Sequence, residues 1–473
     1  MKRDDYRREF AAFQAARAQA RQMAWRAASG FEPLPARLQD RFSDLWSATA
    51  VADLRRESQA DASRSETERR GGQSLLDFAE TWFIRTQTRE LDAELHRALT
   101  TPLIPWRGQR QSASALRPHL AAESDPAHRR ELQGKLAAHD ASLVDLREQR
   151  REMLGAAARS LGYGHLAEQV TAQLHRRTGE DISAWTDTCE RFLVETDTPY
   201  RRVVAAHAAA APATDPFGDR QPRRVAENLL RGFGIRPWQQ TNVTTAWRFT
   251  GPSGVFRVRI PEDIRWMVAE ASNWQTWRRF LGELARVQQA AWTSAKLPVE
   301  LRSHGDPAVA EAWQWLFADL LIDRRWVAGA LDIQPPPVIR HALLAARWQL
   351  ARRAALRFVA WHGRETGGWA LDRVRAEFAQ HLDTTLSDWE LHDELDAAPQ
   401  ALAQLRGAWL AAALNDWLRT KYGNWFASRR AGDDLIDLWN TGFRYTAGEL
   451  AALVGVGPLT PDAFLAGSDP VSK

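Results

Sequence analysis

Cysteine is nearly absent. Cys189 is the single one in 473 residues, which excludes an internal disulfide and any metal site built from several thiolates. Tyrosine is scarce too: there are five, with none between Tyr200 and Tyr422, so that long stretch has no phenol to donate a hydrogen bond. No apolar run approaches the roughly 20 residues that cross a bilayer. The N-terminal MKRDDYRREFAAFQAARAQARQMAW lacks the apolar stretch and cleavage site of a signal peptide and reads as a charged amphipathic helix. A cytoplasmic protein with no membrane partner is the expectation. Charge of one sign is missing as well: 63 basic and 59 acidic residues leave a net +4. Segments such as REQRREM and LHRRTGED interleave the two signs as solvated helix faces do. Nucleic-acid binding needs basic residues gathered into a stripe, and none stands out, so no nucleic-acid partner is expected.

What is abundant is tryptophan, with 22 residues, fifteen of them after residue 260. Two readings stay open: indoles filling a helical core, or a deep cavity walled by rings, since ligand sites are mostly apolar with few polar groups. A chain that is 44% hydrophobic can bury a large core as two or three lobes. Apolar residues three and four apart predict helices over 4–28, 75–98, 125–158, 182–209, 222–233, 273–293, 307–322, 337–363, 370–390, 400–421 and 432–440. Breaks fall at 30–35, 101–108, 211–222 and 332–337, the third reading as an exposed loop between two halves. One segment departs from helical spacing. TTAWRFTGPSGVFRVRIPEDIRWMVAE (244–270) alternates apolar and polar residues around a Pro-Gly turn and predicts a small antiparallel sheet.

The helix after that sheet, WQTWRRFLGELARVQQAAW, carries Glu283 between Gly282 and Leu284, a poor place for a lone carboxylate. This stretch resembles the His-Glu-x-x-His helix of the thimet oligopeptidase and oligopeptidase F group of zinc peptidases, in its short bacterial branch. LPVELRSHGDPAVAEAWQWLFADLL (297–321) resembles the segment that presents a third ligand, a glutamate. LRTKYGNWFASRRAGDDLIDLWNTGFRYTAGELAALVGVGPL (418–459) resembles the closing segment of that branch. The likeness covers most of the chain and is specific after residue 244. It implies a mostly α, two-lobed helical metallopeptidase-like (neurolysin-like) fold with a deep central channel and one small antiparallel β-sheet. The implied division is an N-terminal helical lobe, 1–235, and a C-terminal lobe, 236–473, holding the sheet and the site helices 273–293 and 307–322.

In such peptidases two histidines at i and i+4 and a later glutamate hold zinc, and the glutamate after the first histidine takes a proton from the metal-bound water. On this chain the resemblance places that base at Glu283 and the third ligand at Glu311, while the histidine positions hold Gly282 and Arg286. Glycine offers no ligand, and an arginine stays protonated and has no lone pair to give. LDAAPQALAQLRGAW (395–409), where the family places tyrosines that bind the oxyanion, contains none. The zinc chemistry reads as dismantled, so no metal and no other cofactor is expected.

Two carboxylates sharing a partly buried space need a cation or a proton. Arg286 is expected to stand in for the metal and tie Glu311, with or without Glu283, into a salt-bridged cluster. The alternative is a surface pair with Glu283 at i,i+3 spacing. His304 could lie near the same place or be a solvated loop residue. Arg257 and Arg259, on one face of VFRVRI, either meet an acidic ligand or face solvent; Trp313 completes the candidate ligand-binding set. Cys189 reads as structural, and Asp433 and Asp434 read as acids at the start of a helix. The sequence thus points to a degenerate peptidase that binds a peptide, an amino-acid-like small molecule or a heteromeric partner such as an active paralogue. Two alternatives stay open: an enzyme without metal using Glu283 as acid/base in an elimination or cyclisation of an amino-acid-like substrate, as in a biosynthetic pathway, and a weak metallopeptidase with a non-standard site.

Overall fold

The computed structural model describes residues 2–26, 35–60, 64–123, 125–209, 216–218, 221–247, 253–334 and 336–467. The chain is mostly helical. Six helices frame the region of interest: α1 (Arg3–Arg26), α2 (Glu66–Gln87), α3 (Trp274–Trp292), α4 (Pro307–Ala318), α5 (Pro337–Gly367) and α6 (Asp388–Tyr422). Their starts follow from local chemistry. Asn273 and Thr276 form a capping box at α3, Asp306 caps α4 ahead of Pro307, and Ser387 with Glu390 boxes the start of α6. That last cap lies well upstream of the helix expected at 400–421. The helix runs through Pro399 because Leu395, Ala398, Leu402 and Leu405 bury one face across the break, offsetting an interior proline of about 3 kcal/mol. The segment 182–209 divides at Thr196. The final helix of the 432–440 region begins at Arg429 with Ser428 as its cap, so Asp433 and Asp434 lie inside it rather than at its first residue.

The break expected at 101–108 carries a two-stranded antiparallel ladder, β1 (Ile104–Trp106) with β2 (Gln109–Gln111). Its two turn residues, Arg107 and Gly108, both have positive φ (48° and 79°), the backbone of a type I′ hairpin turn. The expected sheet is present as three strands, β3 (Val243–Trp247), β4 (Gly254–Arg259) and β5 (Asp263–Val268), in the order β3-β5-β4. β4 and β5 pair antiparallel, with Val255 opposite Trp266, and β3 joins β5 in parallel, with Thr245 opposite Trp266. Phe256 and Val258 are buried while Arg257 and Arg259 point the other way. The expected breaks at 30–35 and 211–222, and the Pro-Gly turn at 251–252, lie wholly or largely outside the described residues.

One apolar core takes residues from Ala167 to Phe464, and a second gathers Tyr6, Phe10, Phe13, Phe78 and Trp82 with residues as far as Leu161. The second core extends to Leu161 and the first begins at Ala167, and the helices spanning 182–209 pack on α5. Trp277, Trp313, Trp326, Trp348, Trp409, Trp425 and Trp439 are fully buried, so core filling accounts for these seven indoles. No helix among the described residues is long and apolar enough to cross a membrane.

Candidate functional site

The face of α3 that carries Trp277, Phe280, Leu281, Leu284 and Ala285 is buried, which leaves Glu283 and Arg286 three residues apart beside it. β5 lies alongside. Its alternation turns Trp266 toward α3, where the indole stacks on Phe280 (centroids 5.3 Å apart) and donates its Nε1–H to Glu283 Oε2 at 2.9 Å. Burial against these rings pushes the Glu283 carboxyl up from its ordinary 4.5 to about 7. The Trp266 bond and the charges of Arg279 and Arg286 oppose that shift without cancelling it.

α4 crosses α3 and is sandwiched between α3 and α6. Arg286 Nη2 lies 2.7 Å from Glu311 Oε1, a charge-assisted bond joining α3 to α4. Glu283 is bonded to Trp266 instead, so the two carboxylates have separate partners. Backbones come close on both sides of this pair. A Cβ at Gly282 would sit 2.6 Å from Gln314 Cγ, and one at Gly407 would sit 2.5 Å from Glu311 Cβ and 2.9 Å from the Ala308 carbonyl oxygen. Glycine at 407 lets α6 press directly on the turn of α4 that carries Glu311.

Zinc, which the resemblance implies, does not fit this donor set. Position 282 has no side chain, Arg286 has no lone pair and occupies Glu311, and Glu283 accepts from an indole. No group of three or more His, Cys, Asp or Glu side chains among the described residues is placed to hold a metal ion.

The remaining candidates separate. Trp313 is 1% exposed and packs edge-on against Trp439, so it offers no face to a ligand and belongs to the core. His304 is half-buried rather than solvated, its ring edge-on to Phe10 and Phe78. Burial and the charges of Arg17, Arg177 and Arg257 push its pKa down to about 3, so it is neutral at pH 7. Arg257 reaches into a cavity between α1 and β4 that His304 also lines, and Arg259 edges both that cavity and a groove on the outer side of the sheet. Cys189 is buried and free. Sequence reasoning missed Trp266, Gln314, Gly407 and Arg17. For Trp266 a signal existed, since the alternation in IRWMVA places it on the inward face of β5.

No family model matches the sequence, and no curated protein matches it either. Solved structures do match over nearly the whole chain. An M32 carboxypeptidase from Deinococcus radiodurans aligns with TM-score 0.62 at 16% identity, covering 98% of this chain and 97% of that one. A Pyrococcus furiosus carboxypeptidase gives 0.63 at 13%, covering 98% and 96%. A Bacillus anthracis chain assigned as an oligoendopeptidase F gives 0.59 at 11%, covering 91% and 84%. At such identities the likeness defines the fold: this chain has the helical architecture seen in metallopeptidases.

The raised pKa of Glu283 has a consequence for stability. A carboxyl whose folded pKa lies above its unfolded value stabilises the fold fully below about 4.5, and that contribution is lost as pH rises through about 7. Glu283→Gln stays neutral and keeps an acceptor for Trp266. It should match the native protein at pH 4.5 and exceed its stability by about 1–3 kcal/mol at pH 8, read by denaturant unfolding at both pH values. A difference independent of pH would refute the assignment.

Proposed function

We propose that this chain is a catalytically degenerate relative of the zinc peptidases that binds a peptide or amino-acid-like ligand through the central channel its resemblance implies and does not hydrolyse it with zinc. On this reading Gly282 and Arg286 stand at the positions of two lost histidines. The observation that carries it is the 2.7 Å Arg286–Glu311 pair, because the cation that would accompany Glu311 is already supplied by the protein. A heteromeric partner, such as an active paralogue, would use the same channel. The test is direct. Purified protein should contain far less than one zinc per chain, its melting temperature should be unchanged by added zinc or by chelator, and short peptides should remain intact. Stoichiometric zinc with peptide cleavage that a chelator stops would overturn the proposal.

A second reading has its own observation. Glu283, its carboxyl pushed up to about 7 by burial and accepting one hydrogen bond from Trp266, has the poise of a general acid/base without metal, suited to an elimination or a cyclisation of an amino-acid-like substrate. Under this reading Glu283→Gln abolishes the biological activity of the protein while leaving it folded; an active Glu283→Gln protein would discard it.

A further inference from the structure

Arginines in this chain are commonly matched to carboxylates, often in bidentate geometry: Arg353 and Arg357 share Glu394, Arg176 spans Asp77 and Glu80, and Arg70 holds Glu449. Arg17, Arg21 and Arg257 break this rule. No carboxylate among the described residues lies within ion-pair distance of any of the three, and the one cation–π contact among them is Arg17 over Trp82 at 5.2 Å. All three line one cavity of about 300 Å³ between α1 and β4.

The charge balance of that cavity is one-sided. Five arginines line it (Arg17, Arg21, Arg257, Arg259 and Arg302) against a single carboxylate, Glu262. Glu262 lies 3.6 Å from Arg302, so it is already claimed. The guanidiniums of Arg21 and Arg257 remain open to water even though protein crowds them, the situation of side chains on the wall of a cleft. Burial first, and then the charges of neighbouring arginines, Arg21 among them for both, hold Arg17 and Arg257 down to about 10. Gln14 adds an independent sign: it lines the same cavity, and its Nε2 is buried with no acceptor. Like charges gathered without counter-charge destabilise a fold, and a donor left unpaired adds to that. Both are relieved by one thing, an incoming group rich in acceptor oxygens.

We propose that the α1–β4 cavity is a binding site for a compact polyanion, a small molecule carrying at least two oxyanion charges from a phosphoryl or a polycarboxylate group, held by Arg17 and Arg257 with Gln14 donating beside them. The planar fork of arginine pairs bidentately with either oxyanion. The site deepens, and rests on, the reading of this chain as a ligand-binding protein: it assigns the ligand an acidic group, held beside the face of β4.

Calorimetric titration with sodium pyrophosphate and with citrate, at constant ionic strength, tests this on the full chain. At least one probe should bind, and the better of the two tells phosphoryl from polycarboxylate recognition. Arg17→Gln and Arg257→Gln should each weaken that binding by about tenfold or more, as loss of a charge-assisted bond does. Arg8→Gln, which removes the same charge from an exposed pair with Asp5, should leave it unchanged. Because Arg257 is repelled by its neighbours, Arg257→Gln without anion should melt at or above the native temperature. No heat from either probe, equal weakening by Arg8→Gln, or an Arg257→Gln protein that melts below the native one would each overturn the site. If short uncharged peptides bind while both anions fail, the anion site is wrong and the binding reading stands; zinc-dependent peptide hydrolysis would refute that broader reading whatever the anions do.

Discussion

Arg7→Ala is expected to lower the stability of the protein by about 3–5 kcal/mol, the range for stranding one partner of a buried ion pair. Glu300 is fully buried and receives Arg7 Nε at 2.9 Å and Arg7 Nη2 at 2.6 Å. Arg7 also donates to Glu68 at 2.9 Å, so one guanidinium holds α1, α2 and the short helix Val299–Ser303 together. Gly71 makes room for the pair: a Cβ there would stand 2.4 Å from Glu300 Oε1. Without Arg7 the carboxylate faces Gly71 and the neighbouring aromatic core with no counter-charge, and it must take up a proton or draw in water. Urea unfolding at pH 7 measures the loss. Arg7→Met combined with Glu300→Leu should recover most of it, since replacing a buried pair by apolar groups is nearly neutral where breaking it is not. A single variant within about 0.5 kcal/mol of the native protein would show that the pair contributes only as a surface contact does.

The second large effect is expected at Asp306. One of its oxygens caps α4 by accepting from the Ala308 amide at 3.1 Å and also accepts from Arg406 Nη1 at 2.9 Å. Its other oxygen accepts from the Ala447 amide at 2.9 Å. Arg406 is 1% exposed and keeps the Glu180 carboxylate, at 3.1 Å, and the Trp185 ring if Asp306 goes. Asp306→Ala therefore uncaps a helix, orphans two amides and half-strands a buried cation, for a loss of about 3–5 kcal/mol. Asp306→Asn retains the cap and should lose roughly half as much. Because α4 carries Glu311, the Ala variant should also loosen the link to Arg286, seen as a smaller coupling energy between Arg286→Ala and Glu311→Ala in a double-mutant cycle made in that background. An unchanged coupling energy would mean that packing against α3 and α6, and not the Asp306 cap, positions α4.

How far the chain could be read without coordinates depends on range. Helices with an apolar stripe were legible because their pattern is local, and the alternation in VFRVRI and IRWMVA placed the sheet. Arg286 and Glu311 came from comparing two stretches with a known motif, and the α3–α4 crossing brings those two side chains to bonding distance. Contacts between distant segments were not legible. Arg7 and Glu300 lie 293 residues apart, and no spacing rule joins them. Arg17 is one of several arginines on an amphipathic helix; what separates it from Arg8 is the strand that α1 packs on. The Arg107–Gly108 hairpin escaped because its first turn residue is not one of the asparagine, aspartate or glycine residues that usually adopt positive φ.

The close approach of Gln314 to Gly282 also limits which side chains this crossing accepts. An imidazole introduced at 282 displaces the Gln314 side chain, and one introduced at 286 strips Glu311 of its cation. On the proposed reading, restoring two imidazoles here asks for a change at Gln314 and a new partner for Glu311 besides the two substitutions themselves. The contact is a steric bar to any side chain at 282, whatever chemistry the neighbouring residues perform.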